Sequence, residues 1–335
     1  MSTNRQWQLA QRPTGDIDAN TFRLCDTAIP ECDESKQEVL LKTLYLSFEA
    51  AMRGWLDDRR SYMPPVDIGE PMRAAGVAQV VASGNKDFPV GSLVMGMTGW
   101  QEYLCFSLAE AADWKALPEG TPPNLPLSIF GGTSMTAYFG LLEIGQPKTG
   151  ETVLVSGAAG ATGSIVCQIA KMQGCRVIGI AGGSEKCDWL PSNNCVNEVI
   201  DYKSQDIHQR LTETCPDDID VYFDNVGGST LEIVLEHMAD FGRIAMCGSI
   251  AGYNDAEPSP GPNNLSIITT RRLRVQGFIL FDFLERAPEC IEQLTEWVMS
   301  GKLQWREDIQ EGFENIPATL TRLYAGKNRG KQLLK

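Results

Sequence analysis

The sequence predicts an α/β protein in two parts: an irregular β domain, then a doubly wound parallel sheet flanked by helices. Three observations carry this. Up to Leu127 the chain holds short apolar runs broken by Gly and Pro, closing on the cluster Pro118, Pro122, Pro123 and Pro126. Beyond it, strand-like and helix-like runs alternate. Between the first such strand and helix stands a glycine-rich run, Gly157-Ala158-Ala159-Gly160-Ala161-Thr162-Gly163.

In the first part, Val39–Ser47, Ala74–Ala82 and Ser92–Met97 read as strands. In the second, the expected order is strand Thr152–Ser156, helix Thr162–Gln173, strand Cys175–Ile180, a short helix near Glu185–Leu190 and a strand near Glu198–Ile200. Helix Gln205–Thr214, strand Asp220–Phe223, helix Thr230–Ala239 and strand Arg243–Met246 follow. Strand Arg274–Leu280 and helix Pro288–Ser300 close the series, and the tail adds a helix over Pro317–Ala325 and a last short strand. With 335 residues, two domains are the natural expectation.

The net charge of −14 shows no basic face for a phosphate backbone, so nucleic acid is not an expected partner. No run approaches the roughly 18 apolar residues of a membrane span. Met1 to Arg12 is polar, so no signal peptide and a cytoplasmic location are expected. The ten cysteines form no CxxC pair and read as reduced thiols.

The glycine-rich run has the spacing A-x-G-x-x-G at Ala158, Gly160 and Gly163. Small residues let backbone approach a pyrophosphate, and the following helix offers N–H donors and a positive dipole end. In that helix Ile165, Val166, Ile169 and Ala170 form one apolar face, and Gly174 is placed to end it. An NAD site calls for an acid at the end of the second strand. Here Gly182 or Gly183 takes that place, followed by Ser184, Glu185 and Lys186. A hydroxyl and an ammonium suit a 2′-phosphate, which selects NADPH. Glu185 opposes that choice, unless it serves only to open a helix.

Other chemistry lacks its residues. The two histidines, His208 and His237, have no cysteine at a zinc-ligand spacing and read as helix-surface residues, so no metal is expected. No tyrosine precedes a lysine by four residues, and no G-x-S-x-G elbow occurs. Hydride transfer by a bound cofactor is what remains.

Several motifs agree with this: Tyr45-Leu46-Ser47, Met52-Arg53-Gly54, Ser61-Tyr62-Met63-Pro64-Pro65, Leu142-Glu143-Ile144-Gly145, Asp224-Asn225-Val226-Gly227-Gly228, Gly242-Arg243-Ile244, Cys247-Gly248 and Glu311-Gly312-Phe313-Glu314-Asn315. Through them nearly the whole chain resembles the zinc-independent medium-chain dehydrogenases/reductases, in the branch of prostaglandin reductases, alkenal double-bond reductases and bacterial curcumin reductase. The resemblance implies a GroES-like domain over 1–127, completed by 302–335, and a Rossmann domain over 128–301 with an NADPH cleft between them. It implies reduction of the C=C bond of enones or enals, with a quinone reductase or a non-catalytic NADPH-binding protein as the alternatives.

Position by position, the implied cofactor residues are Gly160, Ala161, Thr162, Gly163, Lys186, Tyr202, Asn225, Cys247, Gly248, Ser249, Ile250, Tyr253, Phe278, Ile279, Leu280 and Asn328. Ser184 joins them from the reading of the strand end. Lys186 and Tyr202 would flank the 2′-phosphate. Tyr253 would stand beside the reacting enone as the catalytic residue. Tyr62, Met52 and Arg53 would belong to the substrate pocket, and the enzyme would be a homodimer. One departure is Ala51, where the family carries a tyrosine bordering the substrate.

Overall fold

The computed structural model describes residues 3–257 and 260–335. Two strands precede the first conspicuous apolar run. β1 (Thr3–Leu9) and β2 (Phe22–Ala28) pair antiparallel from Thr3↔Ala28 to Leu9↔Phe22. β3 (Val39–Ser47) then pairs antiparallel with β4 (Gly76–Ser83), and β4 with β5 (Leu93–Gly96). β6 (Tyr103–Phe106) lies on β3, and the short β7 (Lys115–Ala116) on β5. Val39 and Leu41 on β3, Ala78 and Val80 on β4, Val94, Phe88 and Phe106 make one buried cluster. A second gathers Leu9, Phe22, Phe48, Met52 and Leu56 around Trp100. Trp100 is wholly buried, with its ring 4.7 Å from that of Phe22.

Contacts separate this unit (1–128, 308–327 and 332–335) from a second (129–307 and 328–331). The second opens with helix α1 (Gly132–Phe139), which runs into a π-turn over Gly140–Gly145. Only glycine fits at 140, because a Cβ there would lie 2.2 Å from the Phe278 ring. Strands and helices then alternate: β8 (Thr152–Ser156), α2 (Ala161–Met172), β9 (Arg176–Ala181), α3 (Ser184–Ser192), β10 (Glu198–Asp201) and α4 (Ile207–Thr214). β11 (Ile219–Asp224), α5 (Gly228–Glu236), β12 (Met238–Met246), α6 (Ser266–Thr270), β13 (Arg274–Gly277) and α7 (Ala287–Met299) follow. The chain ends with β14 (Glu307–Gln310), α8 (Ile316–Tyr324) and β15 (Lys331–Leu334). β15 returns to the first unit, pairing Leu333 with Ser47 and Leu334 with Leu46.

The six-stranded sheet has the order β10-β9-β8-β11-β12-β13, and every pairing in it is parallel. Val153, Leu154 and Val155 are wholly buried, as expected for a strand covered on both faces. From β8 the chain winds outward to β10, then returns and winds the other way from β11. The carboxyl ends of β8 and β11 are therefore the topological switch point, where such sheets bind ligands.

Three elements differ from expectation for physical reasons. Helix α2 is buried all round rather than on one face, and the polar Gln168 inside it both donates to Gln304 O (2.8 Å) and accepts from Gln304 N (2.8 Å). β13 stops at Gly277, where its partner β12 ends at Met246 and the hydrogen-bond ladder is exhausted. His237 is not a surface residue: it follows α5, is only 8% exposed, and its Nε2 lies 3.1 Å from His208 Nδ1. Among the described residues no helix is long and apolar enough to cross a membrane.

Burial, and then the neighbouring His208, push the His237 pKa below its usual 6.5. The unfolded chain then binds a proton that the folded state resists, so this residue costs stability as pH falls below about 6.5. Thermal unfolding at pH 7.5 and 5.5 should show a larger loss of Tm for the native protein than for His237→Gln. Equal losses would remove His237 from the pH response.

Candidate cofactor and active site

The glycine-rich run leaves β8 at Ser156 and enters α2 at Ala161. Gly157 has φ +60°, and its carbonyl accepts from Gly160 N at 2.9 Å, which closes the turn. A Cβ at Gly163 would lie 2.3 Å from Gly157 O, so the third position must be glycine. Gly160 caps α2 with no side-chain hydrogen bond, which leaves the first-turn N–H groups for an anion. Gly330 lies alongside as the parallel bridge partner of Gly160, and Asn328 Nδ2 donates to Gly330 O at 2.9 Å.

Asp224, at the end of β11, organises the switch point. It is wholly buried. Its Oδ1 accepts from Ser156 Oγ at 3.0 Å, Tyr222 OH at 2.7 Å, and the N–H groups of Val226 and Gly227 at 2.9 Å each. Its backbone carbonyl accepts from Cys247 N at 2.9 Å and Gly248 N at 3.1 Å. Asn225 reaches back to β8, donating from Nδ2 to Ser156 O at 2.7 Å and from its N–H to Ser156 Oγ at 2.9 Å. One residue thus gathers three strand ends: its carboxylate ties β8 to β11, and its backbone carbonyl holds the chain leaving β12. Burial raises the Tyr222 phenol well above its usual value, so it donates as a neutral hydroxyl. Burial, with the nearby Asp224 charge, pushes the Cys247 thiol up to about 12.

At the end of β9, a Cβ on Gly182 would meet the Tyr202 ring at 2.5 Å. The half-exposed ring therefore lies against a bare backbone. No acid stands at that strand end. The nearby Asp201 carboxylate accepts from the N–H groups of Gly183 at 2.9 Å and Lys203 at 3.0 Å. The Gly183 N–H holds its pKa below the usual range. Ser184 begins α3, with Glu185 and Lys186 in its first turn.

After β12 the chain curls through Cys247–Gly252 and brings Tyr253 back on itself. The Tyr253 hydroxyl accepts from Ser249 N–H at 3.1 Å and would lie 3.1 Å from a Cβ on Gly248. Phe278 packs edge-on against Phe223 at 6.1 Å, and Leu280 lies over Gly132.

The first unit holds the other expected residues. Tyr62 is 44% exposed, and its hydroxyl accepts from Trp55 Nε1 at 2.9 Å. Met52 and Arg53 depart from the expected pocket role. Met52 is wholly buried in the Trp100 cluster. Arg53 is 3% exposed and donates to Gly15 O, Pro13 O and Asp57 Oδ1, so it ties the 13–15 segment to the turn over Ala50–Leu56. Ala51 lies in the same turn, where Tyr324 OH donates to Ala50 O at 3.2 Å.

The glycine loop and Lys186 stand out in the sequence by their own chemistry, whereas Asp224 appears there only as part of the Asp224–Gly228 motif. Asp224→Ala would leave four donors without their acceptor. Unfolding free energy should fall by about 3 kcal/mol or more, seen as a lower Tm in a thermal shift. A Tm within a degree or so of the native value would show that the switch point does not depend on this carboxylate.

Comparison with known proteins adds the family. The profile described as "N-terminal domain of oxidoreductase" matches residues 5–113, and that described as "Zinc-binding dehydrogenase" matches residues 161–300. Among the described residues no group of three or more His, Cys, Asp or Glu is placed to hold a metal ion. The NADPH-dependent curcumin reductase of Escherichia coli is 40% identical over 99% of this chain and 96% of its own length. The NADP(+)-dependent 2-alkenal reductase of Nicotiana tabacum is 41% identical over 90% of this chain and 88% of its own length. The crystal structure of CurA from Vibrio vulnificus in complex with NADPH superimposes with a TM-score of 0.93 at 40% identity, covering 99% of this chain and 98% of that one. The chain belongs to the medium-chain dehydrogenase/reductase family, with its GroES-like N-terminal domain and Rossmann-type parallel sheet.

Proposed function

We propose that the protein is an NADPH-dependent reductase of the C=C bond in α,β-unsaturated ketones or aldehydes. The observation that carries the reading is Tyr253, held by the Ser249 N–H beyond the carboxyl end of β12, in a chain similar over its length to curcumin and alkenal reductases.

The residues present fit the cofactor. The uncapped start of α2, with no side chain at Gly160 or Gly163, suits a pyrophosphate on the N–H groups of Ala161, Thr162 and Gly163. Ser184, Lys186 and Tyr202 would hold the 2′-phosphate, beside a strand end that carries Gly182 in place of an acid. Asn225, Cys247, Gly248, Ser249, Ile250 and Tyr253 would hold the nicotinamide half, with Phe278, Ile279 and Leu280 on the segment after β13 and Asn328 on the tail. When bound, NADPH supplies the hydride that adds to the β-carbon. Tyr253 would donate a hydrogen bond to the substrate carbonyl oxygen as negative charge gathers there, and the enolate would then take a proton from solvent at the α-carbon. The Ser249 N–H donates into the same hydroxyl, which makes its O–H a stronger donor. Tyr62 would line the approach of the substrate.

We further propose a homodimer formed through the edge of the six-stranded sheet, and a cytoplasmic location. All four residues of the outer strand β13 are exposed. Val275 is 40% exposed, and Phe281 (48%) and Leu284 (47%) follow it. An open apolar edge of this kind is ordinarily covered. All ten cysteines are free thiols, which suits a reducing compartment. Light scattering of the purified protein should give twice the chain mass, and Val275→Lys should give the single mass; a native monomer would remove the dimer.

Product analysis tests the reaction: incubation with NADPH and a panel of enones and enals should yield saturated ketones and aldehydes with the carbonyl intact. Tyr253→Phe should slow single-turnover hydride transfer about 10- to 100-fold, with little change in NADPH affinity. Transfer at the native rate would make Tyr253 a wall of the pocket and no more.

A further inference from the structure

Glu185 is the one acidic residue in the first turn of α3, beside Lys186. A carboxylate there works against a bound 2′-phosphate. The structure answers it from the far end of the chain: Arg329 Nη2 lies 2.8 Å from Glu185 Oε2, with the two side chains 63% and 57% exposed. Arg329 reaches this place because its neighbour Gly330 bridges to Gly160 of the cofactor loop. Gly330 has φ +80°, and a Cβ on it would lie 2.3 Å from Arg306 O, so no other residue fits. Lys331 N donates to that same carbonyl at 2.8 Å, which holds the two C-terminal segments side by side.

Arg306 brings a second guanidinium to the same helix. Its Cζ lies 4.2 Å from the centroid of the Trp189 ring, on α3. Its Nη2 is buried and makes no hydrogen bond, and among the described residues no carboxylate pairs with it. Burial lowers its pKa, Glu185 raises it and Arg329 lowers it again, so the three charges act on one another. α3 thus carries Lys186 in its first turn and the Arg306 guanidinium on Trp189, and Glu185, the acid of that first turn, is paired with Arg329.

We propose that Arg329 is a specificity-determining residue for the phosphorylated cofactor: by pairing with Glu185 it offsets the one first-turn carboxylate of α3 that would repel the 2′-phosphate. This rests on the NADPH reading above. Arg329 acts through Glu185 and is in that sense a positioning residue. Its effect should therefore appear in the choice between cofactors, fade with salt, and vanish when Glu185 loses its charge.

Equilibrium dissociation constants for NADPH and NADH, measured by fluorescence quenching, test this. At low ionic strength Arg329→Ala should weaken NADPH about three- to thirty-fold, and the effect should shrink in high salt. NADH affinity should stay within about two-fold, because it lacks the phosphate. Adding Glu185→Gln to Arg329→Ala should restore most of the NADPH affinity, and Arg329→Lys should retain it. Equal weakening of both cofactors, no weakening, or failure of Glu185→Gln to rescue would each overturn the proposal. Lys186→Ala separates the two levels: if it lowers NADPH affinity selectively while Arg329→Ala does not, only the role of Arg329 falls. If Lys186→Ala changes both cofactors alike, the 2′-phosphate site itself falls.

Discussion

The second unit depends on one buried carboxylate. Asp224 accepts four hydrogen bonds on Oδ1, and two of the donors are backbone N–H groups of the turn that leads into α5. Water could make these bonds in the unfolded chain, so their net contribution is modest. Their consequence is geometric. Three strand ends must lie within reach of one residue before Ser156, Asn225 and Cys247 can take their places. The glycine loop then springs from a β8 end already fixed to β11. A wholly buried, multiply bonded anion is costly to form and tolerates little displacement. That intolerance keeps the loop, the Asn225 side chain and the turn carrying Tyr253 in one register.

The chain carries a net charge of −14, yet its proposed cofactor is itself a polyanion. Long-range attraction cannot serve such a pair, so binding has to rest on local groups. The site uses groups that add little to the overall charge. Helix N–H groups present partial positive charge at Ala161 to Gly163, and bare glycines let an anion come close to them. The full cations are few and gathered: Lys186 from α3, with Arg306 and Arg329 from the returning tail. The same logic fits Asp201, near the end of β9, whose carboxylate is engaged by the backbone N–H groups of Gly183 and Lys203.

Much of this was legible in the sequence where chemistry and periodicity coincide. β3 and β8 have the bounds their apolar runs predict, and Gly174 ends α2 with φ +79°. The first hairpin was not legible. Arg5, Gln6 and Gln8 interrupt any apolar alternation in β1, and they are satisfied by partners such as Glu102 and Gln101 nearly a hundred residues away. Helix α1 and its π-turn were hidden because Gly132, Gly140 and Gly145 read as breakers. Gly140 is there for the Phe278 ring, a tertiary requirement without local signature. In the site, the loop announced itself by spacing. Asp224 did not, since its role lies in donors that converge only on folding. Met52 and Arg53 show the opposite failure: a motif marked them for the pocket, and their side chains serve the interior.

The cysteines fit the proposed substrate class by their environments. Enones and enals are electrophiles that thiolates attack at the same β-carbon that receives hydride. A protein that binds them while carrying ten free thiols runs the hazard of alkylating itself. Thiolate fraction governs that attack. Burial pushes Cys105, Cys175 and Cys187 up to about 11, and Cys195, Cys247 and Cys290 up to about 12. Cys247 matters most, because it stands in the turn that leads to Tyr253. There the Asp224 charge adds to burial in disfavouring the thiolate. Asp224, whose backbone carbonyl anchors the turn, thus also helps through its carboxylate to keep the thiol protonated, and a neutral thiol beside an electrophile is a small apolar side chain rather than a competing nucleophile.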